Sequence, residues 1–376
     1  MTNQTAFVFH ELYLWHNTGH AALEAPPGLA VQPDLHVENP ETKRRIKNLL
    51  EVSGIWESLD IIKPEPAAVA DIARAHDRAY IRRIRRMSRA GGGNAGVNGY
   101  NDAPFGAGGY EIALLAAGGA IAAAEAVCNG RAANAYALVR PPGHHATRAS
   151  GMGFCIFNNA AAAILRLRAA YPEMRIAHVD WDVHHGNGSQ EMFYRDPAVL
   201  TVSLHQDNCY PPGGGAEETG AGAGLGYNMN IPLPPGCGNE VYAAAMDELV
   251  VPALAAYRPG IITVSSGFDA AAADPLGRMM LTPGGFRRMT RSLAEAARAL
   301  CGGKIAMFHE GGYSAAFAPY CGLAVMEELS GVRTAIPDPF EDYADMGGQK
   351  TAPHQRALLN QYKRRFAETR RRWNKK

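Results

Sequence analysis

Cysteine is scarce and unpatterned in this chain. Cys128, Cys155, Cys209, Cys237, Cys301 and Cys321 are the six in 376 residues, and none forms a C-x-x-C pair. That fits reduced, mostly buried thiols in a cytoplasmic protein better than a disulfide framework. Net charge is nearly absent as well, at +1, so nothing implies global polyanion binding. The first fifteen residues, MTNQTAFVFHELYLW, carry no basic region and no long apolar core, and do not read as a signal peptide. No run approaches the ~20 apolar residues of a membrane helix, and no internal repeat is visible. What is present is 47% hydrophobic and 19% charged residues, an ordinary composition for a large buried core. The length allows two domains, but one α/β domain with long loops also reaches it. The expectation is a single catalytic domain over 1–376, ending in a basic helix or tail over 355–376.

Apolar runs at 6–9, 135–139, 176–179, 199–204, 227–231, 260–266 and 304–308 read as strands. Segments 40–50, 67–75, 79–89, 110–128, 158–169, 241–257, 283–299 and 321–328 read as helices. Asn39 is a candidate N-cap with Pro40 in the first helical position. Asn129-Gly130 closes the 110–128 helix, and Gly118-Gly119 inside it implies close packing against a neighbour. Glycine-rich stretches at 91–109 and 211–226 read as loops, the first of them flexible. The alternation of strands and helices predicts a parallel sheet covered on both faces. Arg82, Arg83, Arg85 and Arg86 read as a solvated helix face. The tail from 355 holds nine Lys or Arg, one Glu, and a stripe of Leu358, Leu359, Tyr362 and Phe366. It reads as an amphipathic helix docked on the domain or on a second subunit, with neither nucleic acid nor membrane as its expected partner.

One stretch does not fit a plain structural strand. Residues 176–188 read IAHVDWDVHHGNG. Two carboxylates and two imidazoles packed together cost desolvation energy unless something pairs them. A cation is one solution, and a polar loop with its own salt bridges is the other. In extended backbone Asp182 and His184 share a face, with Asp180 further back on it. That is a plausible ligand pair with a supporting carboxylate behind it. Four strands end in polar or Gly-rich residues: near His144, at Asp180, at Asp269 and near Tyr313. In open α/β sheets, ligands sit outside the carboxyl ends of the strands. Asp269 supplies a third ligand, although an Asp before an Ala run also caps helices. Two oxygens and one nitrogen leave positions open, as in a catalytic site. His144-His145 offer a base, with Asp180 and Asn187 to fix their tautomers, and Tyr313 offers a hydroxyl to an oxyanion. Adjacent histidines and a Gly-Gly-Tyr turn are common without catalysis. Together they describe a metal-dependent hydrolase of an amide or ester carbonyl, with His185 in a structural role.

These residues carry a family resemblance. PPGHH (141–145), GFCIFNN (153–159), DWDVHHGNG (180–188), SLH (203–205), SGFDA (266–270) and EGGY (310–313) resemble the zinc-dependent histone deacetylase and acetylpolyamine amidohydrolase superfamily. The likeness spans roughly 136–328. Asn187 makes it similar to class II members, and especially to the bacterial histone-deacetylase-like amidohydrolases. The resemblance implies an arginase/deacetylase-type α/β fold with a central eight-stranded parallel sheet flanked by helices. It implies one zinc on Asp182, His184 and Asp269. His145 becomes the general base, and then the acid to the leaving amine, with Asn187 behind it. His144, backed by Asp180, is chiefly electrostatic, and Tyr313 binds the scissile carbonyl. Gly153, Phe154, Tyr210 and Leu276 line the substrate path, Asp102 holds the substrate backbone at the rim, and Arg45 belongs to an internal product channel. One potassium is implied on Asp180, Asp182, His184, Ser203 and Leu204, and a second on Phe193, Asp196, Val199 and Tyr227. The implied substrate is acetyl-lysine or a related N-acylated amine. The alternatives are an acetylpolyamine or other small acylated amine, and a non-catalytic acyl-ligand sensor. Leu276 stands where a polyamine-selective relative carries a Glu, which opposes a dedicated polyamine role. Homo-oligomers, dimeric or tetrameric, are the expected assembly.

Overall fold

The computed structural model describes residues 4–22, 25–97, 103–370 and 373. Its strands in chain order are β1 (Thr5–Val8), β2 (His20–Ala21), β3 (Asp34–Leu35), β4 (Asp60–Ile62), β5 (Gly92–Asn94), β6 (Pro104–Gly106), β7 (Asn134–Ala137), β8 (Ile176–Asp180), β9 (Val199–Gln206), β10 (Asn228–Leu233), β11 (Ile261–Ser266) and β12 (Ile305–His309). Eight of them form one parallel sheet in the order β10-β9-β8-β11-β12-β7-β1-β4. Every residue of β8, β9, β11 and β12 is buried. That burial on both faces is why these strands read as continuous apolar runs rather than as an alternation.

The helices are α1 (Glu41–Val52), α2 (Val69–Ala75), α3 (Arg78–Arg89), α4 (Gly109–Cys128), α5 (Asn159–Ala170), α6 (Asn187–Phe193), α7 (Asn239–Ala245), α8 (Val251–Tyr257), α9 (Pro283–Cys301), α10 (Ala318–Ser330) and α11 (Pro353–Arg370). One layer pairs α4 with α5, and another packs α9 on α10 and α10 on α1. The side chain of Asn39 accepts the Glu41 N–H at 3.0 Å, and Pro40 O already accepts from Arg44 N. Pro40 thus takes the N-cap place, one residue later than predicted, with the Asn39 side chain satisfying a first-turn N–H. Helix α4 is long and apolar enough to cross a membrane, against the expectation that no run is. Most of it is buried in this fold, so it serves as the core helix of its layer.

Three local expectations change. The eighth strand, β4, is three residues long at the sheet edge, too short to show a period. The glycine-rich stretch from 91 contains an antiparallel strand pair, β5 with β6, among its described residues. The segment predicted as one helix over 241–257 is interrupted by a π-turn at Met246–Val250.

Sheet order is what matters for the site. β8, β11, β12 and β7 are consecutive neighbours, and Asp180 pairs in register with Ser265 on one side and Ser203 on the other. The residues following these strands thus emerge together on one edge.

Candidate active site

β8 ends at Asp180, and the chain does not continue extended to His184 as the face-sharing reading assumed. Instead it curls. Asp180 Oδ1 accepts the Asp182 N–H, and Asp182 Oδ1 accepts the His184 N–H, each at 3.0 Å. These successive side-chain-to-backbone turns bring Asp182 and His184 together. Asp269, following β11, is fixed by the Val183 N–H donating to its Oδ1 at 2.7 Å. Gly311 N–H donates to Asp182 Oδ2 at 2.8 Å. His184 Nδ1 then lies 3.0 Å from Asp182 Oδ1 and 3.1 Å from Asp269 Oδ2. All three residues are buried, with ligand atoms within 4.8 Å of one another. Gly311 permits this approach, because a methyl there would overlap Asp269 Oδ2. Two carboxylate oxygens and an imidazole nitrogen at this spacing fit a divalent ion such as zinc.

The paired histidines follow β7. Their turn is held by Glu310, whose Oε2 accepts the Gly143 and His144 N–H groups at 2.6 and 3.1 Å, while Oε1 accepts from Ser265 Oγ at 2.8 Å. His144 Nδ1 is 2.9 Å from Asp180 Oδ2, and His145 Nδ1 is 2.7 Å from Asn187 Oδ1. The rings of His144 and His145 lie 3.9 Å apart, and the His145 ring is 5.8 Å from that of His184.

From the protein's own charges, burial opposes protonation of His144, but Asp182 and Asp180 outweigh it and raise its pKa to about 10. His145 goes the other way. Burial, with His144 and His184 beside it, holds it well below the ordinary histidine value. Burial and the charge of Asp182 lift Asp269 to about 8. Burial would raise Asp182 too, but His144 and His184 keep it well below the carboxylate range. Crowded buried carboxylates of this kind are stabilised by a bound cation.

His145, Gly153, Phe154, His184, Cys209, Tyr210, Leu276 and Tyr313 line a cavity of about 180 Å³. Phe154 stands edge-on to Tyr313 at 5.8 Å, and Tyr210 edge-on to His145 at 5.1 Å. Phe154 adopts φ +67°, a left-handed conformation uncommon for an aromatic residue and typical of functional sites. Gly153 lies flat against His145, where a methyl would overlap the imidazole. Gly153, Phe154, Tyr210, Leu276 and Tyr313 are all brought together here, as expected. Cys209 was not anticipated. Its thiol lies 3.9 Å from Leu276 O, and nothing in the DNCYPP run marks it.

Two expectations fare differently. Asp102 lies outside the described residues. Arg45 is a correction: it stands on the exposed face of α1, with Nε 3.5 Å from Glu41 Oε2, so it lines no internal channel. Helical spacing turns Lys43 inward and Arg45 outward. Among the described residues the buried Lys and Arg side chains are Arg140 and Lys43, which share Glu38 at 2.8 and 3.1 Å.

The other predicted cation ligands lie on α6, β8, β9 and the turns beside them. Ser203 faces Asp180 across the β8–β9 register, and its Oγ is 2.9 Å from His205 Nδ1. Phe193 O accepts the Asp196 N–H, Asp196 O the Val199 N–H, and Tyr227 O the Thr201 N–H. All six cysteines are free.

A model of the histone deacetylase domain matches residues 36–329. A histone deacetylase-like amidohydrolase of Pseudomonas aeruginosa is 51% identical over 350 residues, 92% of this chain and 91% of that protein. A probable deacetylase of Archaeoglobus fulgidus is 40% identical, covering 90% of each. The crystal structure of the HDA15 HD domain superposes with a TM-score of 0.84 at 31% identity, over 100% of this chain and 99% of that one.

Proposed function

The chain belongs to the histone deacetylase domain family, and from that membership and the site's geometry we propose that it hydrolyses an acyl amide, removing acetyl or a related acyl group from lysine or another amine. The observation that carries this reading is the meeting, on one narrow cavity, of the Asp182–His184–Asp269 cluster, the His145–Asn187 pair and Tyr313.

Asp182, His184 and Asp269 would hold zinc. When bound, the ion supplies Lewis acidity toward a carbonyl and lowers the pKa of water toward neutrality. The rest is done by the chain. Asn187 Oδ1 can only accept, so its 2.7 Å bond to His145 keeps the proton on Nδ1 and leaves Nε2 free. A neutral His145, its pKa held low by burial, accepts the proton of the attacking water at Nε2. It then returns that proton to the leaving nitrogen. Tyr313 is held protonated by burial and the nearby carboxylates. It donates its hydroxyl to the carbonyl oxygen as negative charge develops there. His144, on Asp180, supports the site electrostatically.

Phe154, Tyr210 and Leu276 wall the cavity, and among the described residues no carboxylate lines it. An apolar wall suits the alkyl chain of an acylated lysine, and no described carboxylate there would pair a distal ammonium. Potassium on the Asp180–Ser203 and Phe193–Tyr227 sites completes the reading, and replacing K+ in the buffer with tetramethylammonium is expected to change turnover. The deciding experiment is kcat/KM on an acetyl-lysine peptide and on acetylputrescine, side by side. Preference for the peptide is expected. Preference for acetylputrescine would overturn the assignment of substrate, and turnover of neither would overturn the assignment of function.

A further inference from the structure

A buried carboxylate outside the ligand set accepts the backbone N–H of Tyr313. Asp274 lies in the loop after Asp269, 9% exposed. Its Oδ2 accepts the Tyr313 N–H at 2.7 Å and the Ser314 N–H at 3.3 Å, and its Oδ1 accepts the Leu276 N–H at 2.9 Å. One side chain thus ties the backbone of the catalytic tyrosine to the backbone of a cavity-wall residue.

This clamp is chemically specific. Three amide hydrogens converge on two oxygens, and only a carboxylate offers acceptors on both arms. Asparagine would turn an NH2 group toward an N–H on one arm, leaving donor against donor in a buried place. Burial raises the Asp274 carboxyl to about 6, against the opposing pull of the Tyr313 and Leu276 amides, so it is mainly ionised at neutral pH. The tyrosine needs such support. Its turn runs through Gly311 and Gly312, the latter at φ +118°, and the two glycines contribute no side-chain packing of their own. Small displacements of a group that acts on the transition state are costly, with about 1 Å capable of a hundredfold.

We propose that Asp274 is a positioning residue for the hydrolysis. It sets the placement of the Tyr313 hydroxyl through the Tyr313–Ser314 backbone, and couples it to the Leu276 wall. The proposal rests on Tyr313 acting as assigned above.

A double-mutant cycle on the full-length, zinc-loaded enzyme tests it, using D274N, Y313F and the pair with an acetyl-lysine peptide. D274N is expected to lower kcat by about tenfold or more, with KM and zinc content little changed, because the hydroxyl works chiefly in the transition state. In the Y313F background D274N is expected to cost less than about twofold, since its effect passes through a hydroxyl already removed. D274E, which keeps the carboxylate, should recover part of the loss. If D274N does not fold, Asp274→Ser, which keeps a single acceptor, is run through the same cycle. An unchanged kcat in D274N or D274S, or a loss that multiplies fully with Y313F, overturns the proposal. An unchanged kcat in Y313F alone would instead overturn the functional reading.

Discussion

The Nδ1 atom of His145 lies 2.7 Å from Oδ1 of Asn187, whereas its neighbour His144 faces the carboxylate of Asp180 at 2.9 Å. Two adjacent imidazoles therefore have opposite electrostatic partners. The amide fixes a tautomer without adding charge, so His145 stays neutral and basic at Nε2. The carboxylate favours the protonated form of His144.

That contrast predicts the effect of Asn187→Asp. A carboxylate behind His145 would stabilise its imidazolium and raise its pKa. The base would then be protonated over a wider acid range, and the acid limb of the kcat/KM profile should move to higher pH. A pH series on the variant checks this. A limb that stays in place would show that His145 is not the titrating base.

Gly311→Ala should weaken metal binding. The added methyl would overlap Asp269 Oδ2 and crowd Asp182 Oδ2. The variant should still fold, because the change is one methyl, but its zinc affinity is expected to fall by about ten- to a hundredfold. Competition with a chromogenic chelator measures it.

Glu38→Ala should cost stability rather than alter chemistry directly. Glu38, Arg140 and Lys43 are fully buried together, and removal of the carboxylate leaves two cations unpaired. Breaking such a pair costs about 3–5 kcal/mol. Urea unfolding reads the difference, and a loss under ~1 kcal/mol would contradict the importance of this triad.

Acid should destabilise the fold well before the carboxylates of the unfolded chain titrate. Burial holds His16, His178 and His205 at about 3 and His76 at about 4. For each, the folded pKa lies below the unfolded one. Its contribution is intact above pH 6.5 and lost as pH falls, by about 1.4 kcal/mol per unit. Burial lifts Asp269 to about 8, Glu310 to about 7 and Asp274 to about 6, which works in the opposite sense, but these three do not offset the four histidines together with His145 and His309, which burial also holds well below the ordinary value. The melting temperature should therefore drop between pH 7 and pH 5.

Much of this site was legible because its residues lie at, or three to seven residues beyond, the ends of buried strands. A strand buried on both faces announces itself as an apolar run, and a charged residue at its end has no packing role to explain it. His144, Asp180, Asp269 and Tyr313 all stand in such positions. What stayed hidden depends on geometry that no periodicity records. β4 is an edge strand of three residues. Arg45 and Lys43 differ only in helix phase, and one is exposed while the other is buried. Cys209 enters the cavity wall from the turn that follows β9. Asp274 and Glu310 act by accepting backbone N–H groups from distant segments, and such partners have no signature of their own in the chain.

The most direct measurement is turnover of an acetyl-lysine peptide by the enzyme stripped of metal with a chelator and then titrated with zinc. Turnover should vanish on stripping and return with an endpoint of about one zinc per chain, as expected for the Asp182–His184–Asp269 cluster, and an Asp269→Ala variant should not regain it. Full turnover in the stripped enzyme, or recovery in the Asp269→Ala variant at the same zinc concentration, would contradict metal-dependent amide hydrolysis at this site.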